Sequence, residues 1–198
     1  FVKESKNLQI EEKNSFLESV TIKPNIHLVF KKKISKNFNE KKIIQTSKKS
    51  IILLEKEKVE NLPGYDKGEW WVQDFSTMLP IHFTKKIEKK TVADLCAAPG
   101  GKSFQALSVG ANVDLIEVSS KRASILKKNL ERLKFKNKII IKNAIEIDNN
   151  KKYDYVLVDA PCTSVGTIRK NPEIFFRNSE PNIKYLIDIQ KKLLNKAG

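Results

Sequence analysis

The stretch that decides the fold class runs Thr91-Val92-Ala93-Asp94-Leu95-Cys96-Ala97-Ala98-Pro99-Gly100-Gly101-Lys102-Ser103. Its first five residues are mostly apolar and predict a buried strand, and a helical pattern follows the glycine pair. Two adjacent glycines allow a close approach of the backbone to a ligand, and the small Ala97 and Ala98 leave room. We therefore expect a ligand-binding loop between a strand and a helix.

Two familiar glycine loops are excluded by spacing. A phosphate-binding P-loop needs a glycine five residues before its Gly-Lys-Ser, and Cys96 occupies that position. A dinucleotide fingerprint needs G-x-G-x-x-G, whereas only the pair Gly100-Gly101 is present. The loop is therefore expected to hold neither a nucleoside triphosphate nor NAD.

The pattern of strand, loop and helix continues towards the C-terminus. Further strands are predicted at Asn112–Val118, Lys138–Ile141 and Tyr155–Val158. A helix from Ser119 or Ser120 to Leu133 should bury Ile125, Leu126, Leu130 and Leu133, with Lys127, Lys128, Glu131 and Arg132 facing water. A last helix after Pro181 should present Ile183, Leu186, Ile187, Leu193 and Leu194 as its apolar face. Strands alternating with helices predict an α/β fold with a parallel sheet.

Residues 1–62 differ from the rest and predict a small N-terminal α+β domain that could bind RNA. A helix is expected around Ser15–Val20, and short strands at the apolar clusters Ile26–Phe30, Ile43-Ile44 and Ile51–Leu54. The turn Asn61-Leu62-Pro63-Gly64 marks the expected boundary, so that residues 63–198 form a second, larger domain. After it, a short strand at Gly68–Val72 should lead into a helix capped by Asp74 or Ser76.

Composition restricts the class of protein. The formal net charge is +15, which suits a polyanionic partner, although lysine supplies 34 of the 38 basic residues and AT-rich codon usage would have the same effect. Two cysteines and two distant histidines make no zinc pattern, and no metal is expected. No apolar run reaches the length of a membrane span. We expect a cytoplasmic protein with reduced thiols, monomeric and without a membrane partner.

Two acidic positions complete the expected site. Glu117 ends the second strand of the sheet and could accept both hydroxyl hydrogens of a ribose, or be a solvated strand-end acid. The fourth strand delivers Asp159, Pro161 and Cys162 to the carboxyl edge of the sheet, where open α/β folds bind ligands. The alternative is an ordinary loop cysteine after a core strand. Taken together, the glycine loop and the two acids fit S-adenosylmethionine.

These motifs resemble those of the bacterial 16S ribosomal RNA cytosine-C5 methyltransferases of the RsmB/Sun (Fmu) type. The resemblance begins near residue 62 and rests on Leu62–Tyr65, Val72–Asp74, Asp94–Lys102, Glu117 with Arg122, Asp159–Gly166 and Ile168–Glu173. It implies a Rossmann-like class I S-adenosylmethionine-dependent methyltransferase fold, whose parallel sheet we expect to be incomplete at its C-terminal end. It also implies methyl transfer to C5 of a cytosine in 16S ribosomal RNA.

The resemblance assigns the site residues. The cofactor would be bound by Cys96, Ala97, Ala98, Pro99, Gly100, Gly101, Lys102, Glu117, Asn143 and Asp159. Glu117 would hold the ribose hydroxyls where the family usually has Asp, and Asn143 would lie beside the adenine where the family also has Asp. Asp159, the first of two catalytic residues, would lie between cofactor and target base.

The second implied catalytic residue is Cys162. In the family, a thiolate adds at C6 of cytosine so that C5 can take the methyl group. That attacking cysteine belongs to a later Thr-Cys motif beyond position 198, and Cys162 matches the cysteine that assists release. Attack by Cys162 itself, as in the DNA enzymes, is an alternative, as is a truncated, inactive remnant that binds RNA or cofactor. A small-molecule or protein methyltransferase is disfavoured because it needs no Pro-Cys motif.

Overall fold

The computed structural model describes residues 9–38, 41–84, 86–148, 150–177 and 179–198. Its α-helices are α1 Ile10–Thr21, α2 Phe75–Phe83, α3 Gly101–Ser108, α4 Ser120–Arg132 and α5 Ile183–Ala197. Its strands are β1 His27–Phe30, β2 Ile43–Ser47, β3 Ser50–Leu53, β4 Trp70–Val72, β5 Thr91–Asp94, β6 Asn112–Ile116, β7 Ile139–Ile140 and β8 Tyr155–Leu157. The strands and helices predicted from the sequence are thus confirmed in type, with ends shifted by a few residues.

The described residues group into two compact units. One lies within Phe1–Pro24 and Cys162–Asp188, and the other comprises Asn25–Pro161 and Ile189–Gly198. The division at residues 62 and 63 remains a prediction. Both sheets belong to the larger unit, and β4, which follows that division, pairs with β1.

The first sheet of the larger unit is antiparallel, with strand order β2-β3-β1-β4. Val29 of β1 is opposite Trp71 of β4. Its apolar core contains Leu28, Phe30, Phe38, Ile51, Leu53, Leu62 and Trp70. These branched and aromatic residues fit a pleated sheet, and its strand β1 is buried on both faces, because Val29 and Trp71 on the other face belong to a second apolar core.

The second sheet is parallel, with strand order β7-β6-β5-β8. In this order β5 and β6 are central and bury Val92, Ala93, Val113, Leu115 and Ile116. All four strands end at the same edge, which therefore receives the loops that follow β5, β6 and β8. This arrangement confirms the predicted α/β fold with a parallel sheet.

The helix α4 shows where the amphipathic prediction was right and where it was wrong. Ser119 caps the helix by accepting a hydrogen bond from the Arg122 backbone N–H at 3.3 Å. Ala123, Leu126, Leu130 and the following Leu133 form the buried stripe. Ile125, predicted to be buried, is 48% exposed because it lies about 100° around the helix from Leu126.

Two further orientations differ from the prediction. Arg132 was expected in water but is half-buried, because its guanidinium contacts Tyr65 and Trp70. In α5 only Leu193 of the predicted apolar face is fully buried, whereas Ile183, Ile187 and Leu194 are exposed. A regular apolar stripe thus predicted the presence of each helix. It did not predict how many residues of the stripe are buried by the rest of the protein. No helix of the described residues has the length and apolar character needed to cross a bilayer.

Candidate functional site

The loop between β5 and α3 is shaped by a glycine that no other residue could replace without strain. Gly100 has φ +118°, in the region that disfavours side chains. A Cβ at this position would lie 2.0 Å from Cζ of Phe104, which is buried one turn later in α3. The absence of a side chain at Gly100 therefore allows the loop to pack against α3, and it also leaves space for a ligand.

Asp94, at the end of β5, is a buried carboxylate beneath this loop. Its Oδ2 accepts a hydrogen bond from Ser103 Oγ at 2.5 Å, and its Oδ1 accepts one from the Cys96 backbone N–H at 3.3 Å. Burial raises the pKa of the Asp94 carboxyl to about 6, against the lowering effect of these hydrogen bonds. Asp94 thus fixes the start of the loop, a role that sequence reasoning missed although Asp94 opens the motif.

Cys96, two residues after Asp94, is a poor nucleophile. Its side chain is half-buried, and burial raises the pKa of the thiol to about 11, with further raising by the charges of Asp94 and Glu117. The neutral thiol therefore predominates at physiological pH. The surroundings favour the predicted place of Cys96 in the wall of a binding site and disfavour nucleophilic attack by it.

Glu117, which follows β6, connects the loop to the start of α4. Its side chain is 1% exposed. Oε2 accepts a hydrogen bond from the Ala98 backbone N–H at 3.2 Å, and Oε1 accepts one from the Ser119 backbone N–H at 3.0 Å. A ribose can reach this carboxylate only when a covering group moves aside. Each carboxylate oxygen has a second lone pair that could then accept a hydroxyl hydrogen.

Arg122 belongs to the same cluster. Its Nη1 lies 3.5 Å from Glu117 Oε2, and its Nη2 donates to the Ala98 carbonyl oxygen. The guanidinium is half-exposed, whereas the carboxylate is buried. Arg122 was noted in the sequence only beside Glu117 and without a role. In the structure it balances the charge of Glu117 and joins α4 to the loop.

The edge also contains an ion pair that spans two strand ends. Lys102 Nζ, in the first turn of α3, lies 2.5 Å from Oδ2 of Asp159, which follows β8. The Lys102 side chain is 16% exposed and that of Asp159 57% exposed. Lys102 is therefore largely enclosed while Asp159 faces the open edge. This contact brings together two residues that the resemblance assigned to the site.

Two further predicted residues, Asn143 and Cys162, have hydrogen bonds of their own. Asn143 caps the single 3₁₀ turn Ala144–Glu146: its Oδ1 accepts from the Ile145 backbone N–H at 3.2 Å, and its Nδ2 donates to Glu146 Oε1 at 2.9 Å. Cys162 belongs to the smaller unit, is exposed, and accepts a hydrogen bond at Sγ from the Ser164 backbone N–H at 3.4 Å. The roles of both residues remain predictions.

The chemistry of this edge follows from its charges. The carboxylates Asp94, Glu117 and Asp159 end or follow three neighbouring parallel strands, and they are accompanied by Lys102 and Arg122. Acceptor oxygens dominate, which suits a ligand that carries hydroxyl groups and a positive charge. Within the described ranges, no group of three or more His, Cys, Asp or Glu side chains is placed to hold a metal ion.

Comparison with known proteins agrees with this geometry. Residues 82–198 match the family model described as 16S rRNA methyltransferase RsmB/F. The ribosomal RNA small subunit methyltransferase B of Photorhabdus laumondii is 33% identical over 139 residues, which cover 68% of this chain and 32% of that protein. The chain thus spans about a third of the length of this curated relative.

Two solved structures show the same fold. The crystal structure of PH0851 superposes with a TM-score of 0.82 at 24% identity, covering 99% of this chain and 48% of the other. The structure of NSun6 from Pyrococcus horikoshii with SFG gives a TM-score of 0.78 at 16% identity, covering 98% and 78%. The predicted Rossmann-like methyltransferase fold is therefore confirmed.

Proposed function

The chain belongs to the 16S rRNA methyltransferase RsmB/F family, and on this premise we propose that the protein transfers a methyl group from S-adenosylmethionine to C5 of a cytosine in 16S ribosomal RNA. The observation that carries the proposal is the contact between Lys102 and Asp159. It connects the first turn of α3, which follows the glycine loop, to Asp159, which follows β8 at the same edge of the parallel sheet. Open α/β folds bind their ligands at that edge.

The residues present fit S-adenosylmethionine. The cofactor supplies a methyl group on a positively charged sulfur, and its adenosine part carries ribose hydroxyls. The carboxylates of Asp94, Glu117 and Asp159 provide a negative edge for that charge. Glu117 would accept the ribose hydroxyl hydrogens once Arg122 or another covering group has moved, and the loop from Cys96 to Lys102 would enclose the methionine part. Asn143 would contact the adenine.

Asp159 is the group best placed to contact the target base. Its carboxylate is more than half exposed, and Lys102 fixes one of its oxygens. A carboxylate beside cytosine accepts hydrogen bonds from the amino group of the ring and so orients the base. A base within a folded RNA would have to leave its stack to reach this position.

The covalent chemistry requires a thiolate, because C5 of cytosine is a weak nucleophile. Addition of a cysteine thiolate at C6 would move electron density to C5, and the bound cofactor would supply the methyl group that C5 accepts. Loss of the C5 proton to a base would then expel the thiolate from C6 and restore the aromatic ring. The resemblance assigns attack to the cysteine of a Thr-Cys motif, a dipeptide that these 198 residues do not contain. Cys162 is proposed to assist the departure of the thiol.

The proposal extends to the partner: ribosomal RNA would be the macromolecule that this chain contacts. The net charge of +15 supports it, since cations bound to a phosphate backbone release counterions and so gain affinity. A monomeric state and a cytoplasmic location remain predictions.

Calorimetric titration with S-adenosylmethionine tests the cofactor site directly. We expect saturable binding by the 198-residue chain, with affinity at least tenfold lower in Glu117→Gln, because a neutral amide is a weaker acceptor of ribose hydroxyls. Glu131→Gln, an exposed change of the same kind on α4, is the matched control. A folded chain that binds no cofactor would contradict the proposal.

A second experiment tests the transfer itself. 16S ribosomal RNA containing 5-fluorocytosine should form a covalent adduct with a protein that includes the Thr-Cys motif when S-adenosylmethionine is present, because fluorine replaces the proton that must leave C5. Transfer to normal RNA should require Asp159, so that Asp159→Asn binds cofactor without transferring the methyl group. Cofactor binding without transfer, even in a protein that includes the Thr-Cys motif, would instead identify an inactive remnant.

A further inference from the structure

A lysine-lined pocket lies beside the first sheet, apart from the residues of the candidate site. Its walls include Lys31, Lys32, Lys33, Lys36 and Lys67, together with Gly68 and Glu69, and its volume is about 580 Å³. We call this the lysine pocket. Five lysines against one glutamate give the lining a marked excess of positive charge.

Two separate segments build the lysine pocket. Lys31–Lys33 directly follows β1, and the Lys31 backbone N–H donates to the Glu69 carbonyl oxygen at 2.9 Å. Lys67 comes from the turn before β4, next to Gly68, which has φ +67°. A Cβ at Gly68 would lie 2.0 Å from the Arg132 carbonyl oxygen. The turn therefore sits tightly against α4 and presents Lys67 beside the run of lysines.

One lysine of the pocket is fixed and the others are exposed. Lys31 Nζ donates to the Leu133 carbonyl oxygen at 2.5 Å and lies 4.4 Å from the centre of the Phe135 ring. Lys32, Lys33, Lys36 and Lys67 are exposed, and none of them forms an ion pair with another residue that the structure describes. Their ammonium groups are positioned to bind an anion.

The carboxylate of Glu69, the one acid of the lining, forms no ion pair with the pocket lysines that the structure describes. The Glu69 carboxylate lies against the turn at Gly64, where an added Cβ would be 2.5 Å from Glu69 Oε2. Burial, followed by repulsion from Lys134 and Lys32, lowers the pKa of the Lys31 ammonium. A bound polyanion would offset the repulsion that Lys134 and Lys32 exert on Lys31.

We propose that the lysine pocket binds the phosphodiester backbone of RNA. The residues of the pocket precede those of the candidate site in the sequence and take no part in the methyl transfer. The inference rests on the proposed function for the identity of the polyanion. Lysine contacts phosphates as a flexible point charge, and a phosphate contact carries no information about base sequence. The pocket would therefore add affinity and position the RNA without selecting its sequence.

The test is the salt dependence of binding to a fluorescein-labelled, 20-nucleotide single-stranded RNA, measured by anisotropy without cofactor. The variant Lys33→Gln/Lys36→Gln/Lys67→Gln should lower the slope of log affinity against log salt by about 2 and weaken binding roughly tenfold at 50 mM salt. The loss should be equal for RNAs of different sequence. The matched control, Lys121→Gln/Lys128→Gln/Lys136→Gln, removes the same charge from exposed positions elsewhere.

Equal losses in the two triple variants would overturn the proposal, since net charge alone would then explain the binding. A third variant, Lys33→Arg/Lys36→Arg/Lys67→Arg, keeps the positive charges and should retain wild-type affinity for RNA. A loss of affinity in this variant would also contradict the proposed role of the lysine pocket. Poly-glutamate that competes as well as RNA of equal charge would indicate an acidic protein partner instead. Cofactor titration of the same samples separates this result from the proposed function, because the lysine pocket needs no cofactor to bind RNA.

Discussion

Gln73 packs directly against Gly101, the first residue of α3. A Cβ at position 101 would lie 3.3 Å from Cδ of Gln73, closer than an ordinary contact. The Gln73 amide is held on both sides: its Oε1 accepts from Trp71 Nε1 at 2.8 Å, and its Nε2 donates to Gln105 Oε1 at 3.3 Å. The buried amide therefore fixes the end of β4 to the start of the helix that follows the glycine loop.

This contact predicts an unfavourable effect of Gly101→Ala. Alanine normally stabilises a helix relative to glycine by up to about 1 kcal/mol. Here two hydrogen bonds fix the Gln73 side chain, so it cannot easily move away from the added methyl group. We therefore expect Gly101→Ala to lower the free energy of unfolding by about 1 kcal/mol. In a Gln73→Ala background the same change should be neutral or stabilising. Urea denaturation of the four proteins measures the coupling, and additive effects would show that the contact carries no energy.

The buried Asp94 predicts that stability falls as pH rises through the mildly acidic range. Its pKa in the folded protein is about 6, above the ordinary 3.8, so the folded state binds the proton more tightly than the unfolded state. The cost of ionising it in the folded state is about 3 kcal/mol and accumulates between pH 4 and pH 6. Asp94→Asn should remove this slope and be more stable than the wild type at pH 7.

Thermal unfolding at pH 4, 5, 6 and 7 checks the effect, and Asp148→Asn provides a control at another acidic position. An Asp94→Asn variant whose pH dependence equals that of the wild type would show that Asp94 is not the titrating group.

Asp154 predicts the opposite dependence in a lower range of pH. Hydrogen bonds from Thr91 N–H, from Lys90 Nζ and from Thr91 Oγ1 lower the pKa of the Asp154 carboxyl to about 2. Its stabilising contribution is therefore complete above about pH 4 and is lost as pH falls through 2. Asp154→Asn should lose stability at neutral pH but show a shallower decline between pH 4 and pH 2. Equal acid declines in variant and wild type would contradict this assignment.

Arg132 predicts a loss of stability even for the substitution that keeps its charge. Its guanidinium lies 4.3 Å from the Tyr65 ring centre and donates to the carbonyl oxygens of Tyr65 at 3.0 Å and Trp70 at 3.1 Å. Lysine cannot stack in a plane or donate twice in this geometry, so Arg132→Lys should cost about 1–2 kcal/mol. Arg122→Lys, also on α4, tests whether the effect is specific to position 132. Chemical denaturation that finds no difference at 132 would refute the prediction.

The order of elements could be predicted because each depends on its own short stretch of sequence. Thr91–Ser103 gave strand, loop and helix from local pattern alone, and the parallel sheet followed from their repetition. The error at Ile125 concerned the width of the apolar stripe on α4, whereas the error at Arg132 arose where a second segment decides burial. Arg132 is covered by Tyr65 and Trp70, which are more than sixty residues away in the chain. No periodicity within α4 contains that information.

The candidate site shows the same limit. The sequence indicated Lys102 and Asp159 separately, and the resemblance placed both near the cofactor, but their ion pair depends on the adjacency of β5 and β8. Glu117 was predicted from its position at a strand end. Its burial and its hydrogen bonds to Ala98 and Ser119 depend on how the loop folds back over β6, which the spacing of motifs does not determine.

The last turn of α4 is enclosed by residues that belong to the first sheet and its turns. Arg132 is bound by Tyr65 and Trp70, its carbonyl oxygen lies over Gly68, and the Leu133 carbonyl oxygen accepts from Lys31. Separation of the first sheet from the end of α4 would break all of these contacts, and α4 itself shares an apolar core with Val113 and Leu115 of β6. Backbone amides of β1 and β6 should therefore exchange with deuterium at a common opening free energy, as members of one cooperative unit.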